Sequence, residues 1–483
     1  MSFDLRGKRE LLWDLDMAES SIGVHINRHT PVRKNVALTC DAPWEGITCG
    51  YPAVRRIGDE YRLYYRASGE DSMAKGESFC VAYSKDGKSF YKPDLGMYDF
   101  GKCKNTNIHH REERFIDNFS IHYDDNPDCP DDEKFKALSL VFDRITEKKC
   151  TTELALYKSA DGIKFEFVRI LSIKGVFDTY NVLLWNDKEK TYMIYLRDFH
   201  NQDGSECVYE PTDAMNLCIR DIRISKSKDL INWTAPEKLS YGEGAEDLQL
   251  YTNQIIKYPR ADIYFGMPTR YVDRRDDKAS FKYLFDKNNW RSELLAAGNR
   301  IGSAITDCVL MYSRDGKNFK RDNNAFASPQ YEEGRNWLYG DCYFSHGIVE
   351  TVSDENPDVT EYSMYVGEGY RQKTIEFIRY TVRLDGFYSL RSDYDGGELV
   401  TDGVTLGDEM YINFSTSALG SVRIAVCDMD GKLIDGYDSG VLFGNSVRRR
   451  VDFARPLSEL SGREVRLKIS LKDADIYSIG CDV

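Results

Sequence analysis

The chain has 483 residues, of which 41% are hydrophobic, and its formal net charge is −14. This acidic balance disfavours phosphate backbones, so no nucleic-acid partner is expected. No apolar run reaches the ~18 residues of a membrane span, and residues 1–9 lack the apolar segment of a signal peptide, which predicts a cytoplasmic protein without a membrane partner. The 12 cysteines form no C-x-x-C pair and no zinc-like spacing. They predict reduced, mostly buried thiols, with no metal and no cofactor.

Residues 1–40 are predicted to be a lead-in to a series of strand–turn–strand units. Each unit joins two apolar, Tyr-rich runs through a polar turn, which is the pattern of two antiparallel strands. Five such units are predicted, at residues 50–66, 118–144, 181–197, 253–270 and 344–371.

A short motif, S-x-D followed by Gly in most copies and then by an aromatic residue, occurs after each unit. Asp-Gly between two extended runs predicts a tight hairpin, because Gly tolerates positive φ and Asp bonds its own backbone. Four copies contain Asp86, Asp161, Asp229 and Asp315, and a degenerate fifth contains Asp385 without the serine. We expect these aspartates to form turns on the outer half of each unit rather than to line a site.

Two strands from each unit and two from each hairpin give four antiparallel strands, repeated five times. The sequence therefore predicts an all-β protein with a five-bladed β-propeller at residues 41–389, although an array of β-sandwiches is the alternative. Short strands separated by Gly and Asp turns then predict a small C-terminal β-sandwich at residues 390–483.

Several stretches carry a resemblance to a known family. They are P-W-E-G at residues 43–46, D-T-Y-N at 178–181, D-L-Q-L-Y-T-N at 247–253, R-L-D-G-F at 383–387 and L-K-D-A-D-I-Y at 471–477. Together with the predicted architecture, they resemble the invertase–levanase glycosidases, glycoside hydrolase family 32, and particularly a bacterial family-32-like branch. The resemblance implies a propeller followed by a sandwich, and cleavage of a glycosidic bond.

The chain departs from the motifs that carry catalysis in that family. Fructan-cleaving members begin with W-M-N-D-P-N-G, whereas residues 48–52 here read T-C-G-Y-P and contain no Asp. The family's R-D-P motif falls near Asp178, and its E-C acid falls near Tyr251, where Asp247 and Glu246 are the nearest carboxylates. The resemblance thus implies the architecture more strongly than the standard catalytic residues.

One acidic residue precedes the first strand of every predicted blade, where a propeller opens onto its central cavity. Glycoside hydrolysis needs a proton-donating carboxyl and a second carboxylate as base or nucleophile. The competing interpretation is that each acid bonds its own backbone in a turn. The acidic residues are Glu45, Asp117, Asp178, Asp247 and Asp341. Asp178 and Asp247 are the preferred catalytic pair, with Glu45 third; their roles stay open, with Asp247 assigned as the acid and Asp178 as the base or nucleophile.

An arginine ends the second strand of every unit, in a protein of net negative charge. These residues are Arg66, Arg144, Arg197, Arg270 and Arg371. Guanidinium groups bind carboxylates and phosphates bidentately, so the arginines either bind an anionic substrate or neutralise the acidic residues.

Polar and aromatic residues at the starts of the first strands are predicted to line the same cavity. Tyr and Asn side chains suit a sugar, through stacking and paired hydrogen bonds. These residues are Tyr51, Tyr180, Asn181, Tyr251, Asn253 and His346. His346 is either a structural hydrogen-bonding group or a base, whereas His109 and His110 are interpreted as surface residues.

Three functions are compatible with these features. The first is a glycosidase that cleaves a small furanoside or an anionic sugar. The second is a sugar phosphorylase or transferase whose arginines bind phosphate, and the third is a non-catalytic carbohydrate-binding propeller. In each case the partner is a small saccharide, and a homo-oligomer is possible.

Overall fold

A computed structural model describes residues 2–69, 77–111, 116–141, 153–207, 218–274, 290–297, 302–329, 337, 339–371 and 374–483. Arg144 lies outside these residues. Within the described chain, no helix has the length and apolar character needed to cross a membrane.

The first five strands of the chain serve two different parts of the fold. They are β1 (Phe3–Asp4), β2 (Lys8–Leu11), β3 (Ala18–Ile22), β4 (His25–Arg28) and β5 (Val32–Cys40). β1 to β4 pair with strands from the C-terminal part of the chain. β5 instead forms the outermost strand of the last blade, so the predicted lead-in closes the propeller ring.

Five four-stranded antiparallel sheets form the blades of a β-propeller, as the repeats predict. Blade I contains β6 (Gly50–Ile57), β7 (Glu60–Ala67), β8 (Ser78–Ser84) and β9 (Ile108–His110). Blade II contains β10 (Ile116–Tyr123), β11 (Phe135–Val141), β12 (Leu154–Ser159) and β13 (Glu166–Ile170). Blade III contains β14 (Val182–Asn186), β15 (Thr191–His200), β16 (Ile219–Ser227) and β17 (Glu237–Lys238).

The last two blades carry the additions to this plan. Blade IV contains β18 (Ile256–Lys257), β19 (Tyr264–Gly266), β22 (Met311–Ser313) and β23 (Lys320–Arg321). An additional two-stranded sheet is formed by β20 (Thr269–Val272) and β21 (Ile305–Cys308). The helix α1 (Trp290–Ala297) lies between these two strands in the sequence. Blade V contains β24 (Val349–Val352), β25 (Thr360–Glu368) and β26 (Ile375–Arg383), and β5 completes it.

The C-terminal part is an eleven-stranded β-domain around its own hydrophobic core. Its strands are β27 (Tyr388–Ser392), β28 (Gly397–Thr401), β29 (Val404–Thr405), β30 (Met410–Cys427), β31 (Leu433–Asp438), β32 (Asn445–Val451) and β33 (Glu464–Cys481), together with β1 to β4. The described residues also contain two short 3₁₀ turns, Asp131–Glu133 and Leu457–Leu460. The N-terminal strands β1 to β4 are thus part of this domain. No local sequence pattern predicts their pairing with the C-terminal strands.

The S-x-D motifs form turns between the third and fourth strands of blades I to IV, on the outer half of each blade. In the second copy, the Asp161 carboxylate accepts hydrogen bonds from the backbone N–H of Ile163 at 2.8 Å and of Lys164 at 2.9 Å, and from the Ser159 hydroxyl at 3.0 Å. The Asp86, Asp229 and Asp315 carboxylates bond their turns in the same way. The predicted role in turn formation is confirmed.

The degenerate fifth copy has a different role. Asp385 is fully buried, with φ of 60°, where the propeller meets the C-terminal domain. Its carboxylate accepts hydrogen bonds from Arg260 of blade IV at 3.1 Å and from Ser478 of β33 at 2.8 Å. Arg9 of β2 lies 3.6 Å away. Asp385 therefore joins the two parts of the protein instead of capping a hairpin.

Two expectations from the sequence are corrected. Cys207 and Cys218 form a disulfide, so the cysteines are not all reduced thiols, although the nine other described cysteines are free and eight of them are buried. His109 and His110 are not surface residues, because they lie in β9 with 1% and 3% exposure, packed between blades I and II.

Candidate functional site

Left-handed backbone occurs within or before the innermost strand in four of the five blades. Tyr51, Asn118, Gln254 and Cys342 have φ of 50°, 56°, 39° and 57°, in the left-handed region that L-residues avoid. The strand pairing also slips between Asp117 and Ser120 in blade II. Such conformations cost roughly 1–3 kcal/mol each and cluster at functional sites, so the axial end of the propeller is where a site is expected.

Tyrosine rings from several blades meet at this end. Tyr51 lies 6.5 Å from Tyr180 and 5.8 Å from Tyr343 between ring centroids, and Tyr343 stacks on Tyr251 at 5.8 Å. The Tyr339 hydroxyl donates to the Tyr251 hydroxyl at 2.6 Å. Burial, and next the nearby Tyr251 hydroxyl, raise the pKa of Tyr51 well above its usual value. The cluster consists of neutral hydroxyls and aromatic rings, and Tyr51, Tyr180, Tyr251 and Tyr343 are each at most 7% exposed.

His346 lies beneath this tyrosine cluster and is structurally satisfied. Its Nε2 is 3.0 Å from the Ile255 carbonyl oxygen, and its Nδ1 accepts a hydrogen bond from Arg55 at 2.7 Å. Burial, followed by the charge of Arg55, lowers the pKa of His346 well below its usual value. The imidazole is therefore neutral, and of the two interpretations that the sequence left open, the geometry supports the structural one.

Asn181 and Asn253 use their side chains to hold the backbone. The Asn181 amide donates to the carbonyl oxygens of Phe177 at 2.9 Å and Thr179 at 3.1 Å, and the Asn253 amide donates to that of Tyr195 at 3.3 Å. Both residues are at most 1% exposed. They hold the backbone before these innermost strands, and their amide groups are buried.

A chain of polar contacts links blades I, II and III. The Arg66 guanidinium donates to Asn118 at 3.2 Å and lies 3.7 Å from a carboxylate oxygen of Asp117 and 3.3 Å from one of Glu77. Asn118 in turn donates to Asp178 at 3.2 Å. Sequence reasoning did not include Asn118, whose left-handed backbone directs its amide between Arg66 and Asp178.

Arg197 of blade III completes this chain. Its Nη2 lies 3.9 Å from a carboxylate oxygen of Asp178, and its guanidinium carbon lies 5.2 Å from the centre of the Tyr251 ring. Burial works against the charge of Arg197, but Tyr251 and then Asp178 outweigh it and raise its pKa. Asp178, Arg197, Tyr51 and Tyr251 thus lie in one cluster.

The other two arginines differ from this arrangement. Arg270 forms a bidentate ion pair with Asp307, with Nε–Oδ1 and Nη2–Oδ2 distances of 2.9 and 2.6 Å. Arg371 adopts φ of 59° and has a partly buried side chain, whose Nε has no hydrogen-bond partner among the described residues. Three of the four described arginines are therefore compensated by carboxylates.

Glu45 and Asp341 lie away from solvent. Glu45 is 0% exposed, and its carboxylate accepts hydrogen bonds from Tyr65 at 2.6 Å and Lys92 at 2.7 Å and from the backbone N–H of Ala42. Asp341 is 3% exposed and lies beside a small pocket between blades IV and V. Both carboxylates are therefore nearly closed to solvent.

Asp247 lies in a second polar cluster further along blade III. Its Oδ2 is 2.8 Å from Nε2 of His200, the last residue of β15, and Nδ1 of His200 is 2.8 Å from Oδ2 of Asp221 on β16. Sequence reasoning missed His200 and Asp221. The available signal was their position, because His200 follows Arg197 by three residues at the end of the same strand.

Asp178 and Asp247 do not share a partner. Asp178 approaches Arg197, whereas Asp247 approaches His200. Arg197 and His200 are three residues apart on β15, so at about 3.3 Å per residue their backbones are roughly 10 Å apart. Because side chains alternate along a strand, Arg197 and His200 also point to opposite faces of β15. The two carboxylates therefore contact different side chains of β15.

The part of the chain that the structure describes contains no group of three or more His, Cys, Asp or Glu side chains placed to hold a metal ion.

Comparison with known proteins finds likeness in structure alone. No protein-family model matches the chain, and no curated protein matches its sequence. Similar solved structures include an N-acetylgalactosamine deacetylase from F. plautii, at 10% identity over 75% of this chain and 96% of that one, with a TM-score of 0.45. Another is an exo-β-1,3-galactanase from Phanerochaete chrysosporium, at 8% identity over 92% of this chain and 99% of that one, with a TM-score of 0.38. A third is a glycoside hydrolase family 32 β-fructofuranosidase from Bombyx mori, at 10% identity over 93% of both chains, with a TM-score of 0.39. At these values the likeness concerns the fold and assigns no residue a role.

Proposed function

We propose that this protein is a glycosidase that acts on a neutral saccharide, with Asp178 and Asp247 as its two carboxylates. The observation that carries the proposal is solvent access. The side chains of Asp178 and Asp247 are 28% and 55% exposed, whereas Glu45, Asp117 and Asp341 are at most 10% exposed. Only an accessible carboxyl can reach a glycosidic oxygen or a water molecule, so the preferred pair of the sequence is also the accessible pair.

The charge balance of the cavity favours a neutral sugar over an anionic one. Arg66 and Arg270 already face carboxylates, and Arg197 faces Asp178. A bound anion would have to compete with these internal partners for the guanidinium groups. The tyrosine side chains beside these arginines are uncharged, so they add no charge that would attract an anion.

A panel of 4-nitrophenyl glycosides, including furanosides, uronides and a fructoside, tests the proposal. We expect turnover of a neutral member without added phosphate, and a loss of about 10²–10⁴-fold in Asp178→Asn and Asp247→Asn. Glu243→Gln, an exposed carboxylate in the segment before Asp247, is the matched control and should keep full activity.

Three results would contradict the proposal in different ways. Strict phosphate dependence would favour a phosphorylase, and saccharide binding without any turnover would favour a binding propeller. Loss of activity in Asp117→Asn, with Asp247→Asn fully active, would replace Asp247 by Asp117 as the second carboxylate.

A further inference from the structure

The segment of residues 247–251 is held between two strands by its backbone. The backbone N–H of Leu250 donates to the carbonyl oxygen of Arg220 on β16 at 3.0 Å. On the other side, the backbone N–H of Tyr271 on β20 donates to the carbonyl oxygen of Gln249 at 2.9 Å. The backbone of Gln249 is therefore fixed between blade III and the additional sheet that follows it.

The side chain of Gln249 is oriented by Arg220. Nη1 of Arg220 donates to Oε1 of Gln249 at 2.6 Å. A guanidinium group only donates hydrogen bonds, so the amide oxygen faces it and the amide nitrogen points elsewhere. Within the described residues, no hydrogen bond occupies Nε2 of Gln249, and the residue is partly exposed. Both hydrogens of this amide nitrogen are thus available to a ligand.

Arg220 is itself held by aromatic rings. Its guanidinium carbon lies 4.4 Å from the centre of the Tyr271 ring and 5.4 Å from that of the Tyr251 ring. The centre of the Phe199 ring is 5.5 Å away. Arg220 is only 6% exposed. Three rings around one planar cation restrict its rotation, so Arg220 gives the amide of Gln249 a fixed orientation.

Gln249 is close to one proposed carboxylate through the chain. Asp247 precedes it by two residues, so the two backbones are at most about 7 Å apart. Asp247 is 55% exposed, and Gln249 is partly exposed. A ligand that contacts the carboxyl of Asp247 is therefore within reach of a side chain of the length of glutamine.

Contacts between side chains connect Gln249 to the other proposed carboxylate. Arg220, the partner of Gln249, shares the Tyr251 ring with Arg197, whose guanidinium carbon lies 5.2 Å from the ring centre. Nη2 of Arg197 lies 3.9 Å from a carboxylate oxygen of Asp178. The amide of Gln249 thus belongs to both surroundings, and a sugar that contacts both carboxylates has this amide beside it.

We propose that Gln249 is a specificity-determining residue that donates a hydrogen bond from Nε2 to one hydroxyl oxygen of the sugar. Arg220 is the positioning residue that orients this amide. The inference rests on the proposed glycosidase function and holds whichever carboxyl acts as the acid. An uncharged donor suits a neutral sugar, and an analogue that lacks the accepted hydroxyl leaves the amide without that partner, which is the basis of discrimination.

Monodeoxy substrates test the hydrogen bond directly. They are derivatives of the 4-nitrophenyl glycoside that the panel identifies as a substrate, each lacking one hydroxyl. Gln249→Met removes the donors and keeps the length of the side chain, so it should lower kcat/KM for the parent glycoside about 10-fold. One deoxy derivative should lose a similar factor with the wild-type protein and no further factor with Gln249→Met. Additive losses at every position of the sugar would overturn the inference while leaving the proposed function intact.

Gln249→Glu separates sugar binding from packing. A carboxylate keeps the contact with Arg220 but offers no donor. The variant should therefore unfold at the wild-type temperature or above it and still lose about 10-fold in kcat/KM. Gln202→Met changes an exposed glutamine in the loop between β15 and β16 and is the control, with wild-type kinetics expected. Wild-type kcat/KM in Gln249→Glu would overturn the inference.

A double-mutant cycle tests the positioning role of Arg220. Arg220→Lys keeps the charge but loses the planar guanidinium, so it should raise KM about 3- to 10-fold in the wild-type background. The same substitution should have little effect on KM when it is added to Gln249→Met. An equal increase in both backgrounds would overturn the positioning role. A wild-type protein that hydrolyses none of the panel would overturn both the proposed function and this inference.

Discussion

The buried imidazole of His109 makes the stability of the protein depend on pH. His109 is 1% exposed and packs between Tyr64 and Phe165. Burial, and next the neighbouring His110, lower its pKa from 6.5 to about 3. At a pH between those two pKa values, His109 binds a proton in the unfolded chain but not in the folded chain.

The sign and size follow from proton linkage. Because the folded pKa is the lower one, the unfolded state gains protons first as the pH falls, and stability is lost below pH 6.5. The free energy of unfolding falls by about 1.4 kcal/mol per pH unit for this one group, or about 2.7 kcal/mol at a pH near 4.5. His122 and His346, whose pKa burial also lowers, contribute in the same direction.

The variant His109→Phe isolates this group, because the ring fits among aromatic neighbours and does not titrate. Urea unfolding of both proteins, from about pH 8 to about pH 4.5, gives the difference in unfolding free energy at each pH. We expect that difference to favour the variant progressively, by about 2.7 kcal/mol over the acidic part of the range. Any packing change contributes a constant offset and does not alter the slope.

A control variant at an exposed position, His25→Asn on β4, should retain the wild-type pH dependence. A difference between wild type and His109→Phe that stays constant over the whole range would refute the argument. It would mean that His109 binds its proton equally in both states and is not sealed between blades I and II.

Three further predictions concern stability. Asp161→Ala should lower the free energy of unfolding by about 0.5–2 kcal/mol in urea titration, since it removes acceptors from one turn, and should not alter activity. Asp385→Ala should lower the free energy of unfolding by about 3–5 kcal/mol, because it leaves buried cations unpaired. Asp393→Ala, which removes an exposed ion pair, should lower it by less than about 1 kcal/mol. Equal losses of the two variants in thermal unfolding would contradict this prediction. Non-reducing peptide mapping should recover a peptide in which Cys207 is linked to Cys218, and separate thiol peptides would contradict the disulfide. Cys207→Ser should lower the free energy of unfolding by up to about 3 kcal/mol.

The sequence by itself determined the features that depend on neighbouring residues. The S-x-D turns are local, because Asp161 bonds the backbone of residues two and three positions ahead. The strand pairs and their repetition are also local patterns, so the sequence predicts a five-bladed propeller from them. The convergence of Tyr51, Tyr251, Asp178 and Arg197 then follows from the propeller geometry, in which equivalent strand ends meet at one axis.

The tertiary structure alone decided how each polar side chain is used. Glu45 and Asp247 occupy equivalent places in the repeat, yet Glu45 is sealed by Lys92, 47 residues away, while Asp247 is held by His200, also 47 residues away, and stays exposed. The pairing of β5 with β26 is likewise long-range. Whether a carboxylate is a buried structural group or an exposed one depends on desolvation and on partners from distant strands, and neither leaves a periodic signal in the sequence.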